Sequence, residues 1–294
     1  MTDQQQPEDA CQQLRQTILA DYPRLGPKDT FQFACQPGIA CFNRCCGDVS
    51  IFLSPYDVLR MKKRLGITST EFLHKYTILP VQKDMKTPVV MLRMGDGEGK
   101  PCPFVTDAGC GVYSDRPWPC RMYPLGLASQ KDTPDGWQGD RFYFVLQEAV
   151  CQGSKQPKQW TVDQWLADQQ IDEYDAWGEQ YKELTLHEFF AGGGNLSPQK
   201  MRMLFTACYD LDAFRVFVFE STLLERFEID EDFVEAMRYD DEELLRFAFL
   251  WLRFSLFGEK TMKVKADVAE AVKEQLKPQL AKIAAGRAGG PAAQ

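Results

Sequence analysis

Little in this sequence points toward nucleic acid, a membrane or an imidazole-based active site. There are only two histidines in 294 residues, His74 and His187. A histidine-rich metal site or an imidazole relay therefore has almost nothing to draw on. Positive charge is in deficit: 34 Lys and Arg against 42 Asp and Glu leave a formal net charge of −8. That is the wrong balance for tracking a phosphate backbone. Long apolar runs are missing as well. The most apolar segment, LLRFAFLWLRFSLFG at 244–258, carries Arg246 and Arg253 and is shorter than the roughly 20 residues a spanning helix needs. The first residues, MTDQQQPEDACQQLRQ, lack the basic and apolar regions of a secretory signal. These absences predict a cytoplasmic location, no nucleic-acid partner and no membrane span.

Gly-rich phosphate loops are scarce too. GGG at 192–194 stands between helix-like segments, not after a strand, and reads as a connecting loop. The content of 44% hydrophobic and 12% aromatic residues nonetheless predicts a folded chain with a substantial core.

What the chain has instead is thiol. Ten cysteines are present, and eight fall in residues 31–155: Cys35, Cys41, Cys45, Cys46, Cys102, Cys110, Cys120 and Cys151. In a reducing compartment, clustered cysteines are more often metal ligands or redox groups than disulfides. The contexts PCPF, AGCGVY and RPWPCRMYP hold Gly and Pro beside Cys102, Cys110 and Cys120. Such bends can turn a short thiolate inward toward a common point. Structural zinc takes four ligands, and a fully ligated [4Fe–4S] cluster also takes four cysteines. Eight thiols therefore suit two such sites, or one site with spares. The adjacent pair Cys45–Cys46 bears on that choice: in extended backbone, neighbouring side chains face opposite ways and can serve two metals. A radical-SAM triplet is not completed, because the position after Cys41-x3-Cys45 that would need a third Cys is Asp48. Cys11 and Cys208, each without a Cys neighbour, read as small buried hydrophobes.

FACQPGIACFNRCCGDVSIFLSPYDVLRM, with KPCPFV, GCGVYSDRPWPCRMYPLG and a later VCQG, resembles the YkgJ-type cysteine-cluster family of zinc- or iron-chelating proteins. Flagellin lysine N-methylases carry a similar cluster domain. The resemblance covers about residues 31–155. The family pattern is CxxCxxCC; here five residues separate Cys35 from Cys41 and three separate Cys41 from Cys45, which leaves open whether all four early cysteines share one site. The resemblance implies a metal site but no settled activity. The wide 55-residue gap between ligand groups differs from a zinc ribbon and favours an iron–sulfur cluster or iron, with zinc as the alternative. Two readings follow: a metal-binding protein whose helical half meets a protein partner, or, by analogy with flagellin lysine methylation, an iron–sulfur-containing enzyme acting on a protein substrate. Arg44, Arg116 and Arg121 lie close in sequence to these cysteines. They are suited either to offset thiolate charge or to make ordinary surface salt bridges.

The expected fold is α+β: an irregular, metal-organised cysteine-cluster domain with a few strands, followed by a mainly helical half. The expected organisation is a polar segment at 1–30 with a short helix near CQQLRQTILADY, the cluster domain at 31–155, a helical region at 160–285 and a disordered tail at 286–294. Ser54, Pro55, Asp57 and Gly66 bracket one helix. Thr68 with Glu71, and Thr161 with Gln164, have capping-box spacing. PVVMLRM and RFYFVLQEAV read as strands, GDGEGK as a turn and SQKDTPDGWQGD as a loop. Ser197 and Pro198 open a helix predicted to run through the phenylalanines of RVFVF, DDEELLRFAFLWLRFSLF is a buried helix with an acidic start, and the helix ADVAEAVKEQLKPQLAKIAA breaks at Pro278. His74 and His187 are expected to be ordinary helix residues.

Overall fold

The structure is a computed structural model and describes residues 22–80, 85–129, 141–146 and 149–288. The helix expected near CQQLRQTILADY and the loop at 130–140 lie outside these residues, as do Cys11 and residues 289–294. The fold is α+β, helices with several small sheets. The chain forms two compact units. The first comprises Met1–Gly66, His74–Pro80 and Val89–Glu179; the second comprises Ile67–Leu73, Val81–Pro88 and Gln180–Gln294.

In the first unit β1 (Thr30–Gln32) is followed by a 3₁₀ turn at Arg44–Cys46, β2 (Phe52–Leu53) and α1 (Pro55–Leu65). Helix α1 starts as its sequence dictates. The Ser54 side chain takes the Asp57 N–H while the Asp57 carboxylate takes the Ser54 N–H, Pro55 fills the first position, and Gly66 ends the helix at φ 65°. Helix α2 (Ser69–Tyr76), whose residues up to Leu73 belong to the second unit, begins on the Thr68 hydroxyl, which accepts from Glu71 N–H at 3.1 Å. Strands β3 (Thr77–Ile78) and β4 (Val90–Leu92) join β2 in the order β2–β4–β3. The GDGEGK segment turns, with Lys100 N–H on Gly97 O. The hairpin of β5 (Val105–Thr106) and β6 (Gly109–Cys110) leads to the five-residue helix α3 (Trp118–Met122). Strands β7 (Leu125–Ser129) and β8 (Arg141–Val145) pair antiparallel. The strand expected over 141–150 thus ends at Val145.

Strand β9 (Gln159–Thr161) returns to pair with β1, and α4 (Val162–Asp168) follows on the expected Thr161–Gln164 capping box. Phe31 and Phe33 from β1 and the residue after it pack edge-to-face on Trp165 at 6.0 and 5.5 Å. Met122, Leu125, Val162 and Ile171 close this core. The odd-numbered side chains of β1 go inward because a strand alternates faces.

Helix α5 (Ile171–Thr185) is followed in the second unit by α6 (Glu188–Ala191), α7 (Pro198–Tyr209), α8 (Leu211–Glu220), α9 (Leu223–Arg226), β10 (Phe227–Glu228), α10 (Glu231–Tyr239), α11 (Asp241–Phe257), β11 (Lys263–Val264) and α12 (Ala266–Ala288). The acidic start of α11 caps it through Asp240, which accepts from Glu242 N–H at 2.8 Å. Leu244, Phe247, Ala248 and Leu252 are buried along one stripe of α11. Cys208 is fully buried there too, as a core side chain.

Two helix expectations change. The segment opened by Ser197 and Pro198 is two helices, because Asp210 leaves helical geometry (ψ 67°) and its carboxylate accepts from Ala213 N–H at 3.4 Å. A short acidic side chain competes for backbone N–H groups and so favours a cap over a helix interior. Helix α12 does not break at Pro278 but runs on to Ala288, which takes in residues 286–288 of the expected tail. Proline removes one ladder bond, and the helix continues past that loss.

Candidate metal centre

Backbone hydrogen bonding gathers the eight cysteines from four separate stretches of chain. After β1 the pairing with the far end of the domain continues: Phe33 N–H donates to Lys158 O at 2.9 Å and Ala34 N–H to Gly153 O at 3.1 Å. This sets Cys35 beside Cys151. A Cβ on Gly153 would lie 2.5 Å from the Phe33 ring and 3.0 Å from Ala34 O, so only glycine permits the approach. Residues 36–46 then coil through successive tight turns, with Asn43 at φ 68°, and bring back Cys41 and Cys45. Cys35, Cys41, Cys45 and Cys151 line one small, partly open cavity with Phe33, Tyr123 and Gly153. Two of these sulfurs accept backbone N–H groups: Cys41 Sγ from Gln152 at 3.1 Å and Cys151 Sγ from Gly153 at 3.3 Å.

The second gathering begins one residue later. Cys102 N–H donates to Cys46 O at 2.7 Å, and Gly47 bridges to Pro101. Gly47 leaves no room for a side chain, since a Cβ there would sit 2.4 Å from Gly99 O. In the Cys-Pro-Phe turn the Val105 N–H donates to Cys102 O at 3.1 Å. The β5–β6 pairing places Cys110 opposite Val105, and α3 carries Cys120. Helix α3 has its own outside support: the carboxylate of Asp57 on α1 accepts from Trp118 N–H at 2.8 Å. Asp57 was legible as the capping residue of its own helix; its second duty to the Cys120 helix depends on how α1 and α3 meet in space.

The electrostatics divide the thiols in the same way. Burial pushes the Cys35 thiol up to about 11, with Cys45, Cys41 and Cys151 adding to the effect. Burial pushes Cys120 up to about 12, helped by Cys102 and Cys110. Cys102 is raised by burial, against which the Phe104 and Val105 N–H groups act. Cys46 is raised by its contact with the Cys45 thiol, then by burial, then by Cys45, Cys102 and Cys120 as neighbouring charges. In the metal-free chain these four thiols hold their protons at neutral pH. An ion must displace those protons to bind, as thiolate metal sites require. None of the nine described cysteines is in a disulfide. No three His, Cys, Asp or Glu side chains among the described residues already stand as a finished ligand set; the two groups are defined by shared walls, backbone bonds and mutual charge.

Two details of the sequence reading change here. Cys45 and Cys46 are not in extended backbone but in a 3₁₀ turn, where three residues complete a turn and neighbours diverge by about 120°. Their side chains still meet, since the Cys45 thiol is the largest influence on Cys46, while Cys45 lines the first cavity and Cys46 O accepts from Cys102 N–H. Arg116 and Arg121 do not make surface salt bridges. They are 8% and 2% exposed and bond to neutral acceptors: Arg116 to Tyr113 O at 2.6 Å, Cys120 O at 3.4 Å and the Gln169 side chain; Arg121 to Arg116 O and Gln169 O, both at 2.9 Å, and to Ser114 O. Arg44 is exposed and lines a shallow cleft with Cys46, Gly47 and Asp107.

The histidines stay outside this chemistry. His74 is exposed on α2. His187 caps α6 through Nδ1, which accepts from Phe189 N–H at 3.0 Å, and stacks on Phe257 at 3.8 Å. Asp230 and Asp240 in the acidic runs are helix caps.

The fold and the gathered thiols define a cysteine-cluster domain built on turns. Residues 34–152, about two fifths of the chain, match the model of the family described as "CxxCxxCC: Putative zinc- or iron-chelating domain". The match falls on the segment whose motifs resemble that family. No curated protein and no solved structure matches the chain. Among the described residues no helix is long and apolar enough to cross a membrane.

Proposed function

We propose that this protein binds two metal ions, one at Cys35, Cys41, Cys45 and Cys151 and the other at Cys46, Cys102, Cys110 and Cys120, and that the ions hold the cysteine domain in its fold. The observation that carries this reading is the four-thiol cavity of the first group. Four sulfurs complete the shell of a tetrahedral ion. Sulfur-directed N–H groups from Gln152 and Gly153 stabilise thiolates once the protons have left. When bound, such an ion supplies cross-linking of distant chain segments. Four thiolates leave no open coordination position, which favours a structural role over the protein-modifying alternative.

The test is metal analysis of the full chain purified anaerobically, with single variants Cys45→Ser and Cys46→Ser. Two ions per chain, falling to one in each variant, is the expected result. Loss of both ions in either variant would replace the two sites by a single shared one. A brown protein with inorganic sulfide would replace the single ions by a cluster.

A further inference from the structure

Arg116 poses a question that metal binding alone does not answer. A buried cation is expensive unless an anion stands near it, yet among the described residues every hydrogen bond of Arg116 goes to an uncharged oxygen: Tyr113 O, Cys120 O and the amide oxygen of Gln169. The guanidinium also lies over the Tyr113 ring at 3.7 Å. The carboxylate of Asp168 reaches it only through the Gln169 amide, whose nitrogen donates to Asp168 at 2.6 Å. Arg121, the neighbouring buried cation, differs: the buried carboxylate of Asp57 is within its electrostatic reach. Burial and the like charge of Arg121 both disfavour the charged form of Arg116. The groups that favour it are Tyr113, over whose ring it lies, and then the thiols of Cys120 and Cys110; the Cys35 thiol also feels its charge.

We infer that Arg116, buried and bonded to the Cys120 carbonyl, is a shared counter-cation that balances the negative charge each thiol group acquires when it takes up a metal ion. This rests on the two-centre reading above. A divalent ion with four thiolates keeps a net double negative charge, and two such centres in one small domain repel each other. A fixed guanidinium within electrostatic reach of both lowers the cost of loading each and lessens the penalty that the first imposes on the second. The price is borne by the metal-free chain, which must bury an uncompensated cation. Arg116 is thus a positioning and charge-balancing residue, not a ligand.

The sign of its effect therefore reverses between the two states, and that reversal is measurable. Zinc affinity of the full chain, by competition with a chromophoric chelator, and melting temperatures with and without zinc are compared for the natural protein, Arg116→Gln and Arg116→Lys. Gln keeps a polar side chain and removes the charge; Lys keeps the charge and loses the fork. The expected result is zinc affinity reduced about tenfold or more in Arg116→Gln, the size of effect seen when supporting groups around a metal are removed. Arg116→Lys recovers most of that loss. The metal-free melting temperature of Arg116→Gln stays equal to or above that of the natural chain. Three outcomes overturn the inference: Arg116→Gln binds zinc as tightly as the natural protein; Gln and Lys lose affinity equally; or Arg116→Gln lowers the metal-free melting temperature as far as the loaded one. A natural chain that takes up no zinc or iron would instead overturn the metal reading itself.

Discussion

The two units of this protein solve the same problem with different materials. The second unit buries Leu244, Phe247, Ala248 and Leu252 along the one helix α11 and packs them with Leu204, Phe214, Val218 and Met237. The first unit has no strand longer than five residues among those described. It turns its chain at glycines and prolines and buries two arginines and an aspartate beside its thiols. Long amphipathic elements close a core by hydrophobic burial, which needs no particular partner atom. Short elements joined by turns bury less per residue, and small domains of that kind usually carry cross-links or metals.

Metal removal tests this difference most severely. Stripping the ions with a chelator is expected to separate thermal unfolding into two transitions, the first unit melting earlier and the second unmoved. A ligand at a thousandfold excess over its dissociation constant adds about 4 kcal/mol, which corresponds to a shift on the order of 10 °C for a unit of this size. Calorimetry with and without chelator measures it, and a single transition that shifts as a whole would remove the contrast.

The reverse experiment strikes the helical unit. Leu252 is fully buried, and Leu252→Ala is expected to cost about 3 kcal/mol through lost burial and the cavity left behind. The upper transition falls and metal stoichiometry stays the same. Loss of bound metal in this variant would mean that the helical unit supports the centre.

A smaller and more local effect is expected at Gly153, where an added Cβ would press into the Phe33 ring at 2.5 Å. Gly153→Ala costs about 1–3 kcal/mol as overpacking. Because it moves the strand that sets Cys35 beside Cys151, it is expected to weaken the first centre and spare the second. Metal stoichiometry of this variant with Cys46→Ser, which leaves only the first centre, reads the effect directly; unchanged uptake would detach Gly153 from the site.

Local signals in the chain were sufficient wherever the physics is local. The capping boxes at Ser54 and Thr161 and the Gly66 stop are satisfied by atoms within a few residues, so type and spacing announce them. The same holds for the stripe of α11. Asp210 shows the limit: an apolar run on each side reads as one helix, and a single side-chain bond to Ala213 divides it. The gathering of thiols was legible as composition, since eight cysteines in one stretch are hard to explain by packing alone. Their division into groups was not, because it depends on which strands pair.

By itself, then, the sequence determined an α+β chain with a thiol-rich segment, named the eight cysteines, and set most helix starts and stops. Those properties follow from residue type and short spacing. Tertiary structure alone decided that Cys35 meets Cys151 through the β1–β9 pairing, that Cys45 and Cys46 adjoin in a 3₁₀ turn with Cys45 on the first cavity and the Cys46 carbonyl on Cys102, and that Arg116 is buried without a carboxylate partner among the described residues. Each of these rests on contacts between segments far apart in the chain, and on whether water or protein surrounds a charge. No local window of sequence holds that information.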